Sequence, residues 1–319
     1  PKKGEDREYI KLMFDSLTKR MEITKYLARN KKWDLLVTMF GETDALQHAY
    51  MGLISTSNIA KDAIQSCYKL IDDFLQELMD EILNEDDLLI IMSDHGHGPL
   101  RKYLVVSNFL MSINALQLKN SALVKLKRLA YRCGLTPSMG YRIAKAFGFR
   151  RARSAFRGGI GESLLNKLAI SYNDIDWTRT KAFSVGVGGG IYINLKGKEE
   201  CGSVEPNEYE KVVEWLIDEL CSLKDPETGQ YVIEKIYRKE YIYGTNPNAP
   251  DLMFITKEGY ATLHTSQLAT LSIFEPAPSS GAHRPDGVFM AYGNSIQKGQ
   301  KLKKVKNRFC RVFLKLCLL

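Results

Sequence analysis

Asp44 and His48 stand four residues apart in GETDALQHAY, and Asp94 and His95 are adjacent in LLIIMSDHGHGP. On a helix beginning near Thr43, a plausible N-cap, the first pair shares one face with side chains about 6 Å apart, close enough to ligate one ion. A hard carboxylate beside a borderline imidazole suits a divalent metal such as zinc or manganese. Taken alone, each pair reads more readily as ordinary polar structure: a first-turn Asp with a partly exposed His, or a solvated turn at a strand end. A third stretch, SSGAHRPDGVFMAYG, sets His283 in a small-residue loop before an apolar strand. Of the five histidines (48, 95, 97, 264 and 283), three lie in loops bordering apolar strands, within two residues of a glycine: 95, 97 and 283.

The elements that must position these groups follow from hydrophobic periodicity. Leu88 to Met92 is a continuous apolar run, the pattern of a strand buried on both faces of a parallel sheet. Trp33 to Phe40 reads as a second strand. Between them, Ser57 to Leu83 carries Ile64, Cys67, Ile71, Phe74 and Leu78 on one helical stripe. Strand, helix and strand make a βαβ unit, so both strands should end at the same sheet edge. That brings Asp44 and His48 near Asp94 and His95 and lifts the metal reading above the polar-surface one. Upstream, Glu5 to Lys31 reads as a long amphipathic helix. Downstream, Ala182 to Leu195 is a strand, a glycine turn and a strand. Gly188 to Gly190 is no phosphate loop, because no Lys-Ser/Thr and no helix follow it. Glu205 to Leu223 is a helix, and strands are expected over 231–243, 251–256 and 288–292. Asp251 is read as a turn-ending residue rather than a ligand.

A chain of 319 residues, 45% hydrophobic, can bury the core of one large α/β domain with an insertion. Six cysteines without a CxxC pair point to reduced thiols in a cytoplasmic protein and away from a disulfide framework or a cysteine zinc site. No apolar run reaches the roughly 18 residues of a membrane span, and no signal peptide is recognisable. The chain opens PKKGEDREY without an initiator Met, as a processed chain or a piece of a longer protein does. Its formal net charge of +8 is unevenly placed: between Asp94 and Glu162 there is no acid but thirteen Lys and Arg. Residues 101–159 are therefore expected to form a basic helical cap. Arg150, Arg151 and Arg153 in FRRARSAFRGG are candidates for attracting an anionic substrate, with a solvated basic surface as the equal alternative. No nucleic-acid-binding signature accompanies them, so nucleic acid is an unlikely partner.

TDALQH, SDHGHGP and GAHRPDG, in that order, resemble the metal-site series of the alkaline phosphatase superfamily. The likeness is to its type I phosphodiesterase/nucleotide pyrophosphatase-like members, the predicted phosphohydrolase/phosphomutase group. The segments GGGIYINLKGKEECGSVEPNEYE, LKDPETG and YIYGTNPNAPDLMFI extend it from about Trp33 to Gly299. The resemblance implies an α/β fold with a mostly parallel sheet sandwiched by helices. Residues 1–100 and 160–299 would form the core, 101–159 the cap and 300–319 an atypical basic-apolar tail. It implies two divalent ions, zinc or manganese: Asp44, His48 and His283 on one, Asp94 and His95 on the other. It implies hydrolysis of a phosphorylated small molecule or phosphodiester through a Thr or Ser phospho-enzyme, the two cations stabilising the attacking and leaving oxygens.

The chain also departs from that pattern. The strand bearing a further Asp ligand and the Thr or Ser nucleophile should precede Trp33, yet the 32 residues there read as one helix and a tail. The nucleophile is thus expected upstream of this chain. His97 stands where relatives carry an apolar residue and is read as surface or as lying behind the ligands. A noncatalytic relative that binds metal or anions is the alternative from another functional class, with a phosphomutase or sulfatase-type member a third.

Overall fold

Residues 4–133, 170–185, 189–263, 267–268, 272–277, 279–294, 296 and 299 are described, from a computed structural model of the chain. Helical spacing of apolar residues builds the first part of the chain as expected. Helix α1 (Asp6–Asn30) buries Leu17 and Met21, α2 (Glu42–Tyr50) buries Leu46 and Tyr50, and α3 (Asn58–Glu81) buries Ile64, Cys67, Phe74 and Leu78. These side chains form one apolar core. Ser57 caps α3 by accepting the Ala60 N–H, the role its side-chain oxygen suits.

Among the described residues, twelve strands follow in chain order: β1 (Leu89–Met92), β2 (Gly96–Leu104), β3 (Ile170–Ser171), β4 (Ala182–Phe183), β5 (Gly190–Ile193), β6 (Ile233–Arg238), β7 (Leu252–Thr256), β8 (Gly259–Thr262), β9 (Gln267–Leu268), β10 (Phe274–Pro276), β11 (Gly281–Arg284) and β12 (Phe289–Tyr292). Strand β2 lies at the centre of the site. It pairs antiparallel with β10 and β11 and parallel with β8. A second sheet has the order β4-β5-β7-β6, antiparallel throughout.

Helices α4 (Val106–Ser112) and α5 (Ala122–Arg132) follow β2, while α6 (Tyr209–Ser222) and α7 (Lys239–Ile242) flank β6. Leu104, Phe109, Leu116, Ile191, Ile193, Leu216, Leu252 and Phe254 make the larger core between α4, α6 and the β4-β5-β7-β6 sheet. Asp251 stands at the bend leading into β7, as a turn-ending residue does, and it is buried. Only 2% exposed, it accepts hydrogen bonds from the Ile193 N–H, the Tyr209 hydroxyl and the Lys239 ammonium. It thereby ties β5, α6 and α7 together.

The chain is mixed α/β, but the expectation of a mostly parallel sheet is corrected. Among the described strands, β2–β8 is the one parallel pairing. Trp33 to Phe40 forms no strand, and its Leu35, Val37 and Met39 are exposed. The βαβ argument therefore fails at its first strand. Strand β1 pairs antiparallel with β12, almost two hundred residues further on, and Leu88 and Met92 are exposed rather than buried on both faces. Apolar runs only nominate strands. They do not carry the identity or direction of a partner so distant in sequence, and a strand needs that partner for its backbone groups. The predicted strand 231–243 ends at Arg238, where α7 begins.

Of the basic segment, residues 134–159, including Arg150, Arg151 and Arg153, lie outside the described residues, as do residues 300–319. In its described part, Val106 and Leu110 join the larger core. Lys127 is buried, with its ammonium 2.9 Å from the Asp174 carboxylate.

Candidate metal centre

The local sequence explains how each polar side chain is held. Helix α2 starts at Glu42 after Gly41, two residues earlier than a Thr43 cap would place it; the Thr43 hydroxyl donates to the Phe40 carbonyl. Glu42 is buried and accepts from the Ser16 hydroxyl (2.7 Å) and the Arg20 guanidinium, and Tyr9 donates to the Ala45 carbonyl (3.2 Å). These bonds fix the amino end of α2, and so Asp44, against α1. At its other end, Ser280 donates its N–H to the His48 carbonyl and its hydroxyl to the Ala49 carbonyl. Gly281 follows. A Cβ there would lie 2.2 Å from the Gln47 carbonyl oxygen, so only glycine lets β11 approach α2 this closely.

His283 lies on β11, not in a loop, because β11 pairs with β2. The register sets His283 opposite His97 and Gly281 opposite Pro99. Gly96 admits the chain crossing at Asp286: a Cβ there would lie 2.0 Å from the Asp286 carbonyl oxygen. The turn Ser93 to His95 between β1 and β2 presents Asp94 and His95.

Four imidazoles converge on one carboxylate. From Asp44 Oδ1, His97 Nε2 is 3.2 Å away, His283 Nε2 3.3 Å, His48 Nε2 3.5 Å and His95 Nε2 3.9 Å. Ligand atoms of Asp44, His95, His97 and His283 all lie within 4.8 Å of one another. Nδ1 of His48 is 2.9 Å from the Gly281 carbonyl, and Nδ1 of His95 is 3.2 Å from that of Gly96. A carbonyl only accepts, so each Nδ1 carries the proton and each Nε2 lone pair faces the cluster. His48 Nε2 and His283 Nε2 approach to 2.9 Å. The Asp94 carboxylate is 87% exposed, with one oxygen 3.5 Å from His95 Nε2.

Burial pushes the His97 imidazolium pKa down to about 4, and the surrounding imidazoles add to this against the opposing Asp44 charge. His283 is lowered for the same first reason, with His95 and His48 next. Both are neutral at pH 7, the form that ligates metal. Among the buried atoms of the described residues that lack a hydrogen-bond partner are Glu42 Oε2 and Arg284 Nε, outside this cluster, and two within it, Asp44 Oδ1 and His97 Nε2. Orphaned buried polar atoms are costly, and a cation between them would satisfy both. The donor set therefore fits a divalent metal on its chemistry and on this deficit.

The sequence led to Asp44, His48, Asp94, His95 and His283; the structure brings Asp44 together with His48, His95 and His283 and leaves the Asp94 carboxylate exposed beside His95. His97 is a correction: it is no surface residue, since its side chain is 2% exposed. The signal available was its spacing from His95. Residues two apart in an extended segment share a face.

The family described as type I phosphodiesterase / nucleotide pyrophosphatase matches residues 5–286. The chain belongs to this family, a member of the alkaline phosphatase superfamily. No curated protein and no solved structure matches the chain significantly. Membership places this type I phosphodiesterase-family chain among hydrolases of phosphoric esters in general. Among its described residues, no helix is long and apolar enough to cross a membrane.

Proposed function

We propose that the protein hydrolyses phosphate esters of the phosphodiester or pyrophosphate type at the Asp44 centre, using divalent metal, zinc or manganese. The observation that carries this reading is the convergence of Asp44 with His48, His95, His97 and His283 in a chain of this family. A bound divalent ion would supply Lewis-acid stabilisation of charge on the phosphoryl group. The protein supplies the rest. The Asp44 carboxylate offsets cationic charge, and the carbonyls of Gly281 and Gly96 fix the histidine tautomers. Burial of His97 keeps water from one side of the site. Arg150, Arg151 and Arg153 are proposed to draw in an anionic substrate, on the strength of the acid-free run in which they lie.

The test is an assay of the full-length protein with bis-p-nitrophenyl phosphate and p-nitrophenyl phosphate, with zinc or manganese and with a chelator. The expected result is metal-dependent release of nitrophenol, favouring the diester and lowered at least 100-fold by Asp44→Asn. Metal binding without turnover of either substrate would overturn this reading in favour of a noncatalytic relative.

A further inference from the structure

Helix α5 turns its leucines outward and a lysine inward. Ser121 caps the helix by accepting the Val124 N–H. The side chains it buries are Val124, Lys127 and Tyr131, spaced to share one face. Leu123, Leu126 and Leu129 are 56%, 62% and 57% exposed. None of these three belongs to an apolar core of the described residues.

Polar bonds fix this orientation. The Lys127 ammonium donates to both Asp174 carboxylate oxygens, at 3.1 and 2.9 Å. The Tyr131 hydroxyl accepts the Ile170 N–H at 3.1 Å. Rolling the leucines inward would part Lys127 from Asp174 and leave a buried carboxylate without its cation. A helix that served only to cover its own core would present the leucines to that core.

The exposed surface is chemically specific. Lys125, Arg128 and Arg132, at i, i+3 and i+7, form an exposed basic row beside the leucines. Residues 95–161, which include α5, contain no acid. Leucines flanked by cations are the composition of a helix that lies in the plane of an anionic bilayer. Its apolar side chains enter the acyl boundary while its cations stay among the headgroups. A nucleic acid would answer the cations but not the leucines. A second copy packed on the same face would bring two like-charged rows together.

We propose that α5 docks the protein on an anionic membrane surface, with Leu123, Leu126 and Leu129 in the lipid and Lys125, Arg128 and Arg132 on the headgroup phosphates. This docking is independent of the metal centre.

The experiment is co-sedimentation of the full-length protein with vesicles of phosphatidylcholine alone, or of phosphatidylcholine and phosphatidylserine in equal parts. The wild type is expected to bind the anionic vesicles and to bind the neutral ones about tenfold more weakly or less. One variant carries Leu123→Gln, Leu126→Gln and Leu129→Gln, and another Lys125→Gln, Arg128→Gln and Arg132→Gln. Each is expected to weaken binding to anionic vesicles by about tenfold or more. All six side chains are exposed, so both variants should keep the wild-type urea midpoint. Should either fail to fold, Leu126→Trp supplies a readout that requires no loss: relative to wild type, its added emission shifts to shorter wavelength on anionic vesicles and is quenched by brominated acyl chains. Absent binding by the wild type, equal binding to neutral and anionic vesicles, or an unmoved Leu126→Trp emission would overturn the proposal. So would a loss confined to the Lys/Arg variant, which would assign the face to an acidic protein partner.

Discussion

His97 on β2 and His283 on β11 are register partners across an antiparallel pair, their ring centroids 5.1 Å apart. Directly opposed residues on one face of such a pair have adjacent side chains. Two histidines almost two hundred residues apart in sequence are thus held as one donor pair by backbone hydrogen bonds. Asp44 reaches the same point from α2, which the Ser280–Gly281 backbone clamps to β11.

That clamp gives the first prediction. Gly281→Ala puts a methyl group 2.2 Å from the Gln47 carbonyl oxygen and 2.9 Å from Met51 Cβ, so β11 and α2 must part. The expected cost is roughly 1–3 kcal/mol of stability, measured by urea unfolding. Zinc affinity falls at least tenfold because His283 moves from Asp44. Unchanged affinity would show that the close approach does not position His283.

Acid should weaken the metal-free fold through His97. Its folded pKa, about 4, lies below the ordinary value of 6.5, so the unfolded chain takes up the proton first as pH falls. The stabilisation of the neutral imidazole is fully present above about pH 6.5 and is lost as pH drops toward 4. The loss is roughly 2–3 kcal/mol. Urea midpoints between pH 7.5 and 4.5 read it directly, and a wild-type profile no steeper than that of His97→Gln would contradict it.

Asp251 anchors the larger core, not the centre. Asp251→Ala leaves the Lys239 ammonium, the Tyr209 hydroxyl and the Ile193 N–H without their acceptor. Removing one partner of a buried pair costs roughly 3–5 kcal/mol. The predicted outcome is a large drop in unfolding free energy, with zinc stoichiometry unaltered in the protein that remains folded. A loss near zero would mean that solvent replaces these bonds.

Much of the centre was legible because its residues are chemically conspicuous. Asp44 and His48 at helical spacing, the Asp94-His95 pair and His283 near glycine all stood out before any fold was known, and α1 and α3, two of the three helices of the smaller core, follow from apolar periodicity. Pairing was not legible. Trp33 to Phe40 has the composition of a strand but meets no described partner, while GHGPLRKYL, interrupted by two glycines and a proline, forms the longest of the described strands. Pro99 is tolerated there because Leu100 takes over the bonding, donating its N–H to the Ser280 carbonyl. With β2 hidden, His97 looked like a residue at the surface or behind the ligands, and His283 like a loop residue. That Asp251 also ties three elements together was not legible, because the groups that bond it come from distant parts of the chain.

The central claim is that Asp44 and the histidines around it form a divalent-metal centre. The most direct test is a calorimetric titration of zinc into the metal-free full-length protein, wild type beside Asp44→Asn. Saturable binding in the wild type, weakened about 100-fold in Asp44→Asn, is the predicted result. Absent binding in the wild type, or equal affinity in the two proteins, would contradict it.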